Sequence, residues 1–164
     1  MPITVGSKVP SFALLDALAG EDHRLHDALR RGPVVVAIYK ASCQASKTAM
    51  PFLERIAQAY PRERLTVWGV AQDSANVTQS FVRRTGVTFP VLIDQDDYAV
   101  SRAFDIPETP TIVLIDRDGT VIWQSSGFQK TSLAELSRRI GELLGLEPAD
   151  LLAGTDEVPD QVPG

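Results

Sequence analysis

A chain of 164 residues that is 44% hydrophobic and 23% charged has the makeup of one domain with a single core, which excludes large multidomain architectures. Sixteen Lys and Arg against 21 Asp and Glu leave a net charge of −5, so no basic footprint is expected for nucleic acid or an anionic membrane. A cysteine count of one, at Cys43, excludes disulfide scaffolds within the chain and all-cysteine metal cages.

The N-terminus, Met1 to Pro10, has no basic region followed by an apolar stretch. It does not read as a secretory signal, and a cytoplasmic setting is expected. Pro33 to Lys40 (PVVVAIYK) is a run dense in β-branched residues, too short for a helix or a membrane span and suited to a strand buried on both faces. From Ala45 to Tyr60 the apolar positions Ala49, Phe52, Leu53, Ile56, Ala57 and Tyr60 recur with helical spacing, and Pro51 inside that stretch should kink it. Leu65 to Ala71 predicts a second strand, and Asp73-Ser74 can cap a helix running to about Arg84. Phe89 to Asp94 is a third apolar run, followed by a helical patch around Tyr98 to Phe104.

Thr111 to Asp116 and Thr120 to Gln124 flank Arg117-Asp118-Gly119, and Asp-Gly between two strand-like runs predicts an antiparallel hairpin. Ser132 with Glu135 reads as a capping box, and Leu133, Leu136, Ile140, Leu143 and Leu144 form a stripe that ends at Gly145. The order βαβα, a linking segment, then ββα predicts an α/β domain over residues 1–147, with a mixed central sheet and helices on both faces. Residues 148–164, rich in Asp, Glu, Pro and Gly, read as a C-terminal tail or a surface-hugging extension.

Cys43 lies three residues beyond the first buried strand and at the start of an amphipathic helix. Unpaired N–H groups and the helix dipole favour an anion there, and Lys40 and Lys47 add potential of the same sign. At the reference thiol pKa of about 8.5 only about 3% is ionised at pH 7, so a fall of one or two units raises the reactive fraction about ten-fold or more. The competing reading is an inert small buried residue.

The strand, then Lys40-Ala-Ser-Cys43-Gln-Ala-Ser46, a helix with Pro51, Thr109-Pro110 before the strand to Asp116, and the Asp118-Gly119 hairpin together resemble the thioredoxin superfamily. The similarity runs from about Val9 to Leu144. Within the superfamily it points to the redoxin branch, which takes in alkyl hydroperoxide reductase and thiol-specific antioxidant proteins and the thioredoxin-like cytochrome-maturation reductases. The resemblance implies a thioredoxin-like fold, Cys43 as attacking cysteine, Ser46 at the resolving-cysteine position and Pro110 as the cis-proline facing them. It also implies that Thr109 offers backbone groups to an extended substrate strand. Ser42, Gln44, Tyr39 and Lys40 are the neighbouring candidates for a substrate groove.

Several departures from the family pattern bear on function. Ser46 cannot resolve a mixed disulfide, because a serine oxygen is not a thiol nucleophile. Ala37 and Ala49 stand where relatives carry a buried acid; Ser42 replaces a frequent tryptophan and Gln44 a frequent proline. The expected activity is therefore single-cysteine thiol-disulfide exchange on protein or low-molecular-weight substrates. It needs no bound cofactor, only an external thiol such as glutathione or a protein reductant, and a disulfide between two chains through Cys43 is a further expectation.

Two other readings compete. A one-cysteine peroxidase needs Pro-x-x-x-Thr-x-x-Cys and an arginine, but Val36, Lys40 and Pro110 occupy those places, leaving Lys40 or Arg102 to assist. A redox-silent peptide-binding domain would keep the groove without turnover. His23 and His26, with Asp22 and Asp27, form a weak metal pattern better read as a solvated loop. Asp94, Asp96 and Asp97 read as a turn and helix start rather than a magnesium site, and Trp68 and Trp123 as packing residues.

Overall fold

The computed structural model describes residues 2–95 and 97–164. In chain order the elements are β1 (Ala13–Asp16), β2 (Asp22–Arg24), α1 (Leu25–Arg31), β3 (Val34–Tyr39), α2 (Gln44–Ala59), β4 (Thr66–Ala71) and α3 (Ala75–Thr85). They continue with β5 (Val91–Ile93), α4 (Ala99–Phe104), β6 (Thr111–Ile115), β7 (Val121–Ser126), β8 (Phe128–Gln129), α5 (Lys130–Leu144) and β9 (Gln161–Val162). Among the described residues, seven strands form one mixed sheet in the order β2-β1-β5-β4-β3-β6-β7, and β8 pairs with β9 apart from it.

The strand at the centre is the β-branched run of the sequence. All six residues of β3 are buried, parallel to β4 on one side and antiparallel to β6 on the other. Because successive side chains alternate, the strand feeds two cores. Val35, Ala37 and Tyr39 join Phe52, Leu53 and Ile56 of α2 and Leu133, Leu136 and Ile140 of α5. Val34, Val36 and Ile38 face the other way, with Leu25 and Ala28 of α1 and Val100 and Phe104 of α4. Helices thus cover both faces, and burying each Ile, Leu or Phe contributes about 1.5–3 kcal/mol. Trp68 and Trp123 are both core residues.

Tyr39 ends β3 with its ring stacked on Phe81 at 5.0 Å between centroids. Its hydroxyl is buried without a hydrogen-bond partner among the described residues. An unsatisfied buried hydroxyl costs about 1–3 kcal/mol, so Tyr39→Phe should raise unfolding stability by about 1 kcal/mol in urea titrations. A loss of stability would mean that the hydroxyl is paired.

Ser74 caps α3 by accepting from the Val77 N–H at 3.2 Å, and Gly86 closes it in the left-handed region. The capping box at Ser132 and Glu135 is not made. The α5 helix begins two residues before Ser132, at Lys130, whose N–H is held by the Asp160 carbonyl, and Ser132 donates instead to Gln129 Oε1 at 3.1 Å. Leu143 also leaves the predicted stripe: it is exposed, because the buried face of α5 is centred on Leu133, Leu136, Ser137, Ile140 and Leu144.

Beyond α5 the chain lies along the α2–α5 face. Leu151 is buried, Arg55 donates to the carbonyls of Leu151 and Ala153, and Lys130 Nζ donates to those of Thr155 and Val158. Pairing of Gln161 and Val162 with Gln129 and Phe128 then carries this segment to the edge of the sheet beside β7. The short elements β1, β2 and α1 have no clear periodicity of their own; β1 finds its place by antiparallel pairing with β5.

Candidate active site

The turn from β3 into α2 is pinned from three directions. The Ala41 N–H donates to Asp73 Oδ2 at 2.8 Å, the Lys40 N–H to Ser46 Oγ at 3.3 Å, and the Cys43 N–H to the Lys40 carbonyl at 3.1 Å. Cys43 itself is the N-cap residue of α2. Its backbone is extended and its carbonyl already accepts the first helical bond, from the Lys47 N–H at 3.0 Å. That geometry directs the thiol toward the open N–H groups of the helix, the usual place for a bound anion.

Partial burial pushes the Cys43 thiol up, yet the balance holds it below its ordinary value. The side chains of Thr109 and Ser46 and the backbone N–H groups of Ser46 and Ala45 all favour the thiolate. Thr109 acts in both senses, since its carbonyl oxygen lies 3.4 Å from Sγ and accepts the proton of the neutral thiol. The four interactions that stabilise the anion outweigh the effect of burial. Lys40 and Lys47 are exposed and are not among the groups that hold the thiol down, so Thr109, Ser46 and the helix N–H groups take the role that the sequence assigned to lysine charge.

Ser46 is fully buried one helical turn below Cys43. Across the site the Thr109–Pro110 peptide bond is cis, and Pro110 is buried beside the half-buried Thr109. The fold therefore brings Cys43, Ser46, Thr109 and Pro110 together over 66 residues of chain. Ser42, Gln44 and Lys40 are exposed around the thiol. Tyr39 is not part of any groove: it is fully buried, and burial followed by the nearby Asp73 carboxylate pushes its phenol far up, so it stays neutral. A residue of β3 whose side chain falls on the α2 face has no route to the surface.

Ala37 and Ala49 are both fully buried in the core beneath the site. Asp73 is the residue that sequence reasoning missed. It was legible as a helix cap, but Ser74 makes the cap and the Asp73 carboxylate holds the cysteine loop, a contact between residues 32 apart. His23 bonds Asp16 Oδ2 at 3.2 Å on β2, whereas His26 is exposed on α1. The Asp94 carboxylate accepts from the N–H groups of Val100 and Ser101 and from the Ser101 hydroxyl, Asp97 accepts from the Ala99 N–H, and Asp96 lies outside the described residues. Among the described residues no three His, Cys, Asp or Glu side chains cluster as metal ligands. None of the described helices is long and apolar enough to cross a membrane.

A mixed seven-stranded sheet flanked by helices, with a cysteine at the N-cap of the helix after the central strand and its sulfur 3.4 Å from the carbonyl oxygen of the residue before a cis-proline, defines a thioredoxin-like protein. The chain belongs to the AhpC/TSA family, whose pattern matches residues 5–124. It is 31% identical to the thiol-disulfide oxidoreductase ResA of Geobacillus kaustophilus over 120 residues, 73% of this chain and 67% of that protein. The ResA protein of Geobacillus thermodenitrificans is 32% identical over 121 residues, with the same coverage. A solved structure from Chlorobium tepidum, described as a thiol:disulfide interchange protein DsbE, shares the fold with a TM-score of 0.78. It is 24% identical, over 87% of this chain and 99% of that one.

Proposed function

We propose that this protein is a thiol-disulfide exchange protein that works through Cys43 alone. The observation that carries the reading is the pairing of an activated thiol at the α2 N-terminus with a buried serine, Ser46, where an internal resolver would stand. The Cys43 thiolate attacks one sulfur of a disulfide, forms a mixed disulfide and expels the other sulfur as a thiolate, which takes a proton from water. An external thiol, glutathione or a protein reductant, then attacks the mixed disulfide. It leaves with the substrate sulfur and returns Cys43 as thiolate. Atoms and electrons balance over the two steps, and no bound cofactor takes part. The similarity to ResA proteins, named as thiol-disulfide oxidoreductases, supports the same chemical class.

Exchange is favoured over peroxide reduction by what stands in the peroxidatic positions. Val36 is buried in β3, Lys40 is exposed, and Pro110 occupies the place of the arginine. A general test is the pH profile of Cys43 alkylation by iodoacetamide. The thiolate is the reactive form, so a lowered pKa moves the rise of the rate curve to lower pH, with a midpoint below about 8.5. A midpoint at or above that value would remove the basis of the proposal.

A further inference from the structure

The cis-proline loop has a second neighbour besides Cys43. Gly164 packs so closely on the Thr109 carbonyl oxygen that a Cβ added at Gly164 would overlap it, and would press on Glu108 Cβ at 3.0 Å. That same oxygen lies 3.4 Å from Cys43 Sγ. The segment reaches this point because it is held upstream. The Lys130 N–H donates to the Asp160 carbonyl at 2.9 Å, Gln161 and Val162 pair with β8, and Val162 packs against the core. A Cβ at Gly127 would meet the Val162 carbonyl oxygen at 3.3 Å and the Gly164 nitrogen at 3.5 Å, so strap and loop are in close register. The Thr109 N–H, by contrast, makes no hydrogen bond within the described residues.

The geometry points to residues 161–164 as a specificity-determining strap, which occupies the flank of the Thr109–Pro110 loop where an extended polypeptide would add as a strand. With the strap seated, small disulfides reach Cys43 and extended protein segments must first displace it. Substrates of the single-cysteine exchange are therefore low-molecular-weight disulfides of glutathione size. This rests on the exchange reading above and names its substrate class. The chemistry is unchanged: one S–S bond forms at Cys43 as one breaks in the substrate, and the leaving sulfur is protonated by water.

The test compares the parent chain with Gly164→Val, which cannot keep the contact with Thr109, and Val162→Asp, which weakens the seating of β9. Mixed-disulfide formation at Cys43 is followed by mass spectrometry with oxidised glutathione and, separately, with disulfide-bonded insulin. If the groove is open in about one molecule in ten, releasing the strap raises the insulin rate about ten-fold while the glutathione rate stays within about two-fold. An unchanged insulin rate, or a parallel rise with both disulfides, overturns the proposal. Alkylation of the same variants by iodoacetamide and by a polyethylene-glycol maleimide reads the strap without any exchange chemistry. If no disulfide reacts with any variant, the exchange reading fails. The strap itself is then judged by the ratio of bulky to small alkylation, which must rise in the variants and overturns the strap if it does not. Should Gly164→Val fail to fold, Val162→Asp decides alone.

Discussion

Replacing Ser46 with cysteine is expected to shorten the life of a mixed disulfide on Cys43 by about 10³-fold or more, because an oriented internal thiol acts at an effective concentration far above millimolar external thiol. Ser46 already touches the reactive group, since its side chain and its N–H both stabilise the Cys43 thiolate. A sulfur there would attack Cys43 Sγ, close a disulfide between positions 43 and 46 and release the substrate thiol. Full burial of position 46 shields the new thiol from every other partner. The substitution also gives up the Lys40 N–H bond to Ser46 Oγ, at a cost of about 1 kcal/mol. Mass spectrometry of the Ser46→Cys variant after oxidised glutathione should show an intramolecular disulfide in place of the glutathione adduct. A persistent adduct would show that position 46 cannot reach the sulfur.

Replacing Cys43 with serine is expected to abolish covalent capture of every disulfide, with a change in unfolding stability of no more than about 1 kcal/mol, since the partly exposed side chain adds little to the core. The cap geometry persists because serine is a favoured N-cap residue. This variant separates exchange from simple peptide binding. If the parent chain forms no mixed disulfide and both chains bind a peptide equally, the protein is a redox-silent binding domain. If adducts form on the parent chain and vanish in the variant, the thiol carries the chemistry.

The central part of the fold was legible because its signals are local. The β-branched run at 33–40, the helical spacing after Cys43 and the Asp118-Gly119 turn each reflect a backbone preference or a buried face, which a few neighbouring residues suffice to set. The same holds for the position of Cys43 at a helix start. The short strands at the β2 end of the sheet were not legible: β1 and β2 run to four and three residues, and pairing across the chain rather than their own periodicity keeps them extended. Ser132 shows the limit at a helix end. Its capping signal was sound as a pattern, but strand pairing at 128–129 and the bond from Lys130 to Asp160 started the helix earlier.

The single cysteine, the serine three residues beyond it and the lack of an acid at positions 37 and 49 are facts of composition and order. The single cysteine alone determines that a second thiol in the proposed exchange comes from outside these 164 residues. Which groups activate Cys43, that Tyr39 is sealed in the core, that Asp73 holds the cysteine loop, and that residues 161–164 lie against Thr109 depend on the packed chain. The reason is distance along the sequence. Contacts between residues 32, 55 or 66 positions apart leave no local pattern, because they are created when the sheet closes and its two cores exclude water.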